Sequence, residues 1–280
     1  MILVPGTEAE FVEAVAALDE VFTPCAFRPF SRTDVAPNLT FDHYGGVVDY
    51  SPPDQVITVR SGTTLSELNE ILEQNGQCVP HLFPHGFADA SLAEMLDFKL
   101  PHLLEGQCGS LRDWVLGARV ILPNGTICKC GSKVVKNVAG YDIHKMLIGA
   151  RGALALILEV TLRVFSKSAV PAPVAVKGPA RWDEAAGQID RCLPTEFERL
   201  AASLGDRLVM ADPASSTLWS RSAGSDEPRS FVGNDAWRIS SGSGEDNLSI
   251  ANPDSIHFTK RAKRAFDPTN KFNPGALGAC

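Results

Sequence analysis

Residues 131–161 read GSKVVKNVAGYDIHKMLIGARGALALILEVT, and this stretch decides how the chain is interpreted. Its four glycines are points where the backbone can adopt a positive φ or approach a ligand closely; they are Gly131, Gly140, Gly149 and Gly152. Asp142 is placed to cap a short helix over Ile143–Ile148. The spacing alone fits a cofactor-binding segment, and it equally fits a turn, a short helix and a buried strand joined by glycines.

Two parts of this stretch resemble a known protein family. Residues 136–142, KNVAGYD, and residues 147–154, LIGARGAL, are similar to the signature block of FAD-linked oxidases with the PCMH-type (vanillyl-alcohol-oxidase) fold. The run RAFDPTNKFNPG at 264–275 resembles the closing segment of the same family. Within the family, the chain looks most like the FAD-binding E subunit of bacterial glycolate oxidase, over roughly residues 45–168 and 257–275.

The resemblance implies an α+β fold, in which a PCMH-type FAD-binding domain of two α/β subdomains carries a shortened substrate or cap region. The expected FAD-binding domain covers residues 1–168, and the linker SAVPAP begins at Ser168. Residues 169–250 form the expected cap, and residues 251–280 the C-terminal segment that returns to the FAD domain.

The same resemblance implies the residues that contact FAD. They are Pro80, Asn137, Val138, Gly140, Gly149, Gly152, Ala153, Leu154 and Ile157. The sequence identifies no catalytic residue, because the cap region contains no constellation of His, Tyr or Arg that can be assigned to a base or a carboxylate clamp.

Both segments that hold the FAD pyrophosphate in the family differ here. Residues 27–44 contain no glycine, where the family has a glycine-rich loop. Residues 86–110 replace a second glycine-rich motif with a sequence that favours a helix, in which Ser91 and Glu94 have the spacing of a capping box. Asp89, Glu94 and Asp97 also add negative charge where a diphosphate requires the opposite sign.

These observations support two functional hypotheses. By resemblance, the chain is the FAD-binding subunit of a glycolate oxidase-like oxidoreductase that transfers hydride from a small 2-hydroxyacid to flavin. Its expected partners are a larger flavoprotein subunit and an iron–sulfur subunit. The alternative is a non-catalytic interaction subunit that keeps the fold and has lost or weakened FAD binding, as the altered pyrophosphate segments suggest.

Composition excludes other classes of protein. At 280 residues and 44% hydrophobic residues the chain can bury a sizeable core, and its net charge of −7 argues against nucleic-acid binding. No apolar run reaches the about 18 residues that a membrane span needs, so we expect a cytoplasmic protein without a span. The seven cysteines have no zinc or disulfide spacing, and Pro80 and Pro84 argue against a helical metal site at His81 and His85. No metal site is predicted.

Local patterns predict most of the elements. Helices are expected at 8–22 and 65–75, strands at 47–50, 55–59 and 154–165, and a hairpin at 115–130 around Asn124-Gly125. In the cap region we expect a helix at 182–191, strands near 208–210, 217–219 and 236–239, and a mobile tip around 222–229. A basic helix at 257–265 is expected to expose Lys260, Arg261 and Lys263 as a positive patch. This patch is either an ordinary solvated helix face or a surface that docks a larger flavoprotein subunit.

Overall fold

The computed structural model describes residues 1–23, 37–81, 90–99, 102, 104–132, 142–171, 188–221, 237–240, 248–250 and 253–277. In chain order the elements are α1 (Glu8–Ala17), β1 (Val47–Ser51), β2 (Val56–Arg60), α2 (Leu65–Glu73), β3 (Gln77–Cys78), α3 (Leu92–Phe98), α4 (Glu105–Cys108), α5 (Leu111–Trp114), β4 (Val115–Ile121), β5 (Ile127–Gly131), α6 (His144–Leu147), β6 (Leu156–Arg163), β7 (Phe165–Ser166), β8 (Gln188–Arg191), α7 (Phe197–Leu204), β9 (Leu208–Asp212), β10 (Thr217–Ser220), β11 (Trp237–Ser240), β12 (Leu248–Ile250) and α8 (Pro253–Phe266). This mixture confirms the expected α+β class.

The first sheet has the strand order β1-β2-β6-β4-β5, and every neighbouring pair is antiparallel. The β4–β5 hairpin is the predicted one, and its turn is closed by Gly125, whose N–H donates to the Leu122 carbonyl at 2.8 Å. Along one row of the sheet, Arg60 is opposite Glu159, which in turn is opposite Arg119. Opposite charges on adjacent strands support this register.

Capping residues set the beginnings of two helices as predicted. The hydroxyl of Thr64 and the carboxylate of Glu67 form a complete capping box at α2, and Ser91 and Glu94 do the same at α3. The first helix differs from its prediction, since α1 ends at Ala17 rather than at residue 22. The chain leaves the helix there because Val21 pairs with the C-terminal segment.

The second sheet has the order β12-β11-β8-β10-β9. Its strands β9, β10 and β11 confirm the strands predicted near 208–210, 217–219 and 236–239. The helix predicted at 182–191 is wrong over Gln188–Arg191, which form the central strand β8. Buried Ile189 lies between Trp219 and Ile239 on the flanking strands, and this pairing overrides the local helical pattern. The predicted mobile tip lies outside the described residues.

One apolar cluster joins the two sheets. Leu68, Trp114 and Val160 of the first region and Ile189 and Trp219 of the second belong to the same buried core. The second sheet therefore packs directly on the first region, and Trp219 is a core residue. The domain bounds inferred from the sequence stay a prediction.

The C-terminal segment returns to the first domain. After α8 ends at Phe266, the Val21 N–H donates to the Lys271 carbonyl at 2.8 Å, and the Asn273 N–H donates to the Val21 carbonyl at 2.7 Å. These two bonds place the residues after α8 beside the strand-like residues that precede position 24.

In the part of the chain described here, no helix is both long and apolar enough to cross a membrane. The same residues contain no group of three or more His, Cys, Asp or Glu side chains arranged to hold a metal ion.

Candidate functional site

Residues 149–153 form a tight turn at the centre of the predicted flavin site, and we call them the glycine block. Gly149, Arg151 and Gly152 have φ values of 85°, 53° and 67°. At Gly152 a side chain is also excluded by crowding, since a Cβ atom would lie 2.9 Å from Asn273 Nδ2 and 3.2 Å from Asp97 Oδ2. The turn can therefore pack closely only with glycine at this position.

The end of α3 holds one side of the glycine block. The Gly149 N–H donates to the Leu96 carbonyl at 2.8 Å, and the Arg151 N–H donates to the Asp97 carbonyl at 2.9 Å. The helix that replaces the family's second glycine-rich motif thus has a defined structural role. It positions the glycine block.

Asp97 is a buried carboxyl directly beneath Gly152. Burial raises its pKa to about 8, the N–H of Gly152 opposes that shift, and the nearby Glu94 carboxylate adds to it. Asp97 therefore binds a proton at neutral pH, where an exposed aspartate would be ionised. Sequence reasoning treated Asp97 as a negative charge, and its burial corrects that interpretation.

Lys263 holds the other side of the block. Its Nζ donates to the Ala153 carbonyl at 2.8 Å, to Asp267 Oδ2 at 2.6 Å and to the Phe272 carbonyl at 2.6 Å. These three acceptors satisfy all three N–H groups of the ammonium. The side chain is 3% exposed, so the prediction that Lys263 belongs to an exposed positive patch is wrong.

Asp267 completes this buried ion pair. Burial alone would raise its pKa, but hydrogen bonds from Lys263 and from the N–H groups of Lys271 and Phe272 outweigh burial and hold the pKa below its usual value. A charge pair at this depth is stable only because its remaining donors and acceptors are also bonded. The sequence signal was the Lys263–Asp267 spacing of four residues, with proline following the aspartate.

Asn273 connects the block to the N-terminal residues. Its Nδ2 donates to the Arg151 carbonyl at 2.6 Å and to Thr23 Oγ1 at 3.0 Å, and its Oδ1 accepts from the Thr23 N–H at 3.1 Å. One amide thus contacts two segments that are more than a hundred residues apart in sequence. Its φ of 40° is one that asparagine tolerates better than most residues.

The predicted site residues fall into three groups. Gly149, Gly152 and Ala153 are in the glycine block, while the buried side chains of Leu154 and Ile157 enter the apolar core that both sheets share. Pro80 is buried two residues after the end of β3. Asn137, Val138 and Gly140 lie outside the described residues, as does His85.

The residue after Pro80 belongs to a buried aromatic group. His81 lies with its ring 4.6 Å from that of His102, which is 4.8 Å from the ring of Trp114. His102 accepts from the Leu104 N–H through Nδ1, so its Nε2 is the protonated nitrogen that donates to the Gly109 carbonyl at 3.0 Å. Burial lowers the pKa of His102, and the ring is a neutral packing element.

The starts of two short helices, α3 and α6, do not have the arrangement that an anion-binding site at a helix N-terminus requires. At α3, Glu94 Oε2 accepts from the N–H and the hydroxyl of Ser91, so a carboxylate of the chain itself already occupies the start of the helix. The helix predicted over Ile143–Ile148 is only the four-residue α6, and Asp142 does not cap it through its side chain. The Asp142 carboxylate instead lies 3.3 Å from Lys145 Nζ.

A charged contact joins the second sheet to helix α4. Arg191 of β8 donates to Glu105 of α4 at 2.6 Å, and the Glu105 side chain is only 8% exposed. Next to it, a Cβ atom on Gly106 would lie 2.5 Å from Cβ of Ala214. The backbone of α4 therefore lies so close to the β9–β10 turn that a side chain at position 106 would clash with it.

Comparison with known proteins matches part of the chain to a protein-family model and to several relatives. Residues 32–131 match the family model described as "FAD binding domain". Glycolate oxidase subunit GlcE of Escherichia coli (strain K12) is 37% identical over 122 residues, covering 44% of this chain and 35% of that protein. Mitochondrial D-lactate dehydrogenase [cytochrome] of Arabidopsis thaliana is 31% identical over 174 residues, covering 59% of this chain and 30% of that protein.

Further relatives extend the comparison. Glycolate oxidase subunit GlcD of Bacillus subtilis (strain 168) is 26% identical over 129 residues, covering 46% of this chain and 27% of that protein. Among solved structures, an alkyldihydroxyacetonephosphate synthase superposes with a TM-score of 0.49 at 16% identity, covering 72% of this chain and 36% of that one. The matched regions span about a third of these proteins. The domain match over residues 32–131 confirms the expected FAD-binding fold and FAD as the cofactor of the domain.

Proposed function

We propose that the chain is the FAD-binding subunit of an oxidoreductase that acts on a small 2-hydroxyacid. The observation that carries this proposal is the FAD-binding domain match, combined with the 37% identity to a glycolate oxidase subunit. Two relatives are named as subunits of glycolate oxidase and one as a dehydrogenase of D-lactate, which shares the 2-hydroxyacid group. By analogy, the partners are a larger flavoprotein subunit and an iron–sulfur subunit.

We divide the predicted site residues into those that contact the cofactor and those that support the site. When bound, FAD accepts the hydride that leaves the substrate carbon. We assign direct contact with FAD to Pro80, Asn137, Val138 and Gly140. The second group, Gly149, Gly152, Ala153, Leu154 and Ile157, supports the site: in the glycine block the N–H and carbonyl groups described above already have partners within the protein, and the apolar side chains are buried.

A second candidate is a non-catalytic interaction subunit with weakened FAD binding. The observation in its favour is that Glu94 caps α3 from within the chain, where the family has a glycine-rich motif facing the pyrophosphate. A diphosphate brought near this carboxylate would meet negative charge rather than free N–H groups. This candidate predicts the same fold with little or no flavin.

Flavin content separates the two candidates. The purified chain should show the visible absorption of oxidised flavin, and FAD should be recovered after the protein is denatured. Gly140→Val introduces a branched side chain where we expect the backbone to approach the cofactor, so it should remove the flavin while the melting temperature is retained.

Gly6→Val is the matched control, since a Cβ atom there meets nothing closer than 3.6 Å. The control should retain its flavin. Flavin-free wild-type protein that cannot be reconstituted would reject the first candidate in favour of the second. A Gly140→Val variant with full flavin content would remove Gly140 from the site.

A further inference from the structure

The C-terminal segment bonds to two places that flank the predicted flavin segments. Lys263 binds the Ala153 carbonyl, and Asn273 binds the Arg151 carbonyl together with Thr23. Thr23 lies four positions before residues 27–44, the segment where the family has its first pyrophosphate loop. Arg151 and Ala153 follow the KNVAGYD motif by about ten residues in the sequence. We call Lys263, Asp267 and Asn273 the C-terminal clasp.

The clasp determines the orientation of peptide groups in the glycine block. The carbonyls of Arg151 and Ala153 point towards Asn273 and Lys263, whereas the N–H groups of Gly149 and Arg151 point towards α3. With partners on both sides, the peptide planes cannot rotate without losing a hydrogen bond in a buried setting. A turn with three positive φ values would otherwise have alternative conformations of similar energy.

The same contacts fix the N-terminal residues, the glycine block and α8 relative to one another. Asn273 uses one amide group to hold Thr23 and Arg151, so the N-terminal residues and the glycine block share a single anchor. Lys263 attaches this anchor to α8 through a buried ion pair with Asp267. Groups that bind a ligand need such supporting hydrogen bonds to remain within a fraction of an ångström of the productive geometry.

We propose that Lys263 and Asn273 are positioning residues for flavin, which hold Thr23 and the glycine block in the relative arrangement that FAD binding requires. This inference rests on the proposed function, since it assumes that the chain binds FAD. It assigns the basic helix α8 a role inside the protein in addition to any role of its exposed face. It also predicts that flavin affinity depends on residues more than a hundred positions from the KNVAGYD motif.

Asn273→Asp tests the proposal with the smallest change in shape. The variant keeps an oxygen that can accept from the Thr23 N–H, but it loses the N–H donor to the Arg151 carbonyl and places a negative oxygen beside it. We expect the dissociation constant for FAD to rise about tenfold or more, as the loss of one buried hydrogen bond implies. A second variant, Lys263→Met with Asp267→Asn, removes the ion pair without leaving a buried charge unpaired, and it should weaken FAD binding in the same way.

Leu218→Ala provides a control matched for stability. Leu218 is fully buried in the separate apolar cluster with Phe197 and Ala211, so its truncation destabilises the protein without touching the clasp. The control should lose melting temperature and keep its FAD affinity. If Asn273→Asp and the double variant bind FAD as tightly as wild type, the proposal is overturned. It is also overturned if Leu218→Ala weakens FAD binding as much as they do.

Hydrogen exchange distinguishes failure of the clasp from failure of the proposed function. If wild-type protein binds no FAD, the proposed function fails, and the positioning of the block is then measured from its amides. In Asn273→Asp the amides of Gly149 and Arg151 should exchange at least several-fold faster than in wild type, while those of β4 and β6 remain unchanged. Unchanged exchange at Gly149 and Arg151 would overturn the positioning role as well.

Discussion

Asp97 couples the stability of the protein to pH. Its native pKa of about 8 lies above the value of 3.8 for an exposed aspartate. Below about pH 4 the carboxyl is protonated in both states; between the two values the unfolded chain releases the proton and the native protein retains it. Stability therefore falls as pH rises through this window and levels off above the native pKa.

Asp97→Asn should remove this part of the pH dependence. The amide keeps an oxygen that can accept from the Gly152 N–H, and it does not ionise. We expect the loss of melting temperature between pH 5 and pH 8 to be clearly smaller in the variant than in wild type. Asp42→Asn, a change at an exposed aspartate, is the control and should follow wild type. Parallel curves for wild type and Asp97→Asn would refute the assignment.

Gly62 marks the closest backbone approach near β2. A Cβ atom there would lie 2.0 Å from the Phe41 carbonyl oxygen and 2.6 Å from that of Tyr44. Both obstacles are backbone atoms, so Gly62→Ala should lower the free energy of unfolding by about 1–3 kcal/mol or more. Gly45→Ala, where the nearest atom is 3.6 Å away, should cost much less. Urea denaturation measures both, and equal stabilities would contradict the geometry.

Lys263 illustrates what sequence patterns miss about single residues. A lysine among Lys260, Arg261 and Arg264 looks like one more charge on a solvated helix face. Its burial depends on Asp267 and on carbonyls at positions 153 and 272, and only the folded chain brings those groups together. A docking test on α8 should therefore alter Lys260, Arg261 and Arg264, because reversing Lys263 would break the clasp.

Among the contacts between elements, a largely buried ion pair joins Arg191 of β8 to Glu105 of α4. Glu105 is nearly buried, so Arg191→Met removes the charged partner of a desolvated carboxylate. We expect a loss of about 1–3 kcal/mol in the free energy of unfolding. The control Arg199→Met removes an arginine that is 59% exposed and pairs with Glu196, and it should cost at most about 1 kcal/mol. Equal costs in denaturant titrations would mean that the buried pair adds nothing special.

Elements with local signals were predictable and those without them were not. The capping boxes at Thr64 and Ser91 fixed the starts of α2 and α3, because all their partners lie within three residues. The strand β8 lacks such a signal: it is the centre of a sheet whose neighbours, β10 and β11, come later in the chain. The candidate site shows the same difference. A local motif indicated the glycine block, whereas the roles of Lys263, Asn273 and Asp97 depend on partners that are distant in the sequence.

For the whole molecule, we predict that the chain has no turnover on its own. The matched regions span about a third of the relatives, and the cap sequence contains no assignable base or carboxylate clamp. Purified chain should therefore not oxidise glycolate or lactate with an artificial electron acceptor, because hydride transfer needs a group to take the substrate proton. Addition of the two proposed partners, a larger flavoprotein subunit and an iron–sulfur subunit, should produce turnover. Robust oxidation by the chain alone would contradict this.

The central claim is that this fold holds FAD, although a carboxylate caps α3 and residues 27–44 contain no glycine. Titrating flavin-stripped chain with FAD, and following the flavin fluorescence, tests that claim most directly. We predict saturable binding at one FAD per chain, weakened by Asn273→Asp and unaffected by Leu218→Ala. A titration with no saturable phase, on protein whose melting curve reports an intact fold, would contradict it.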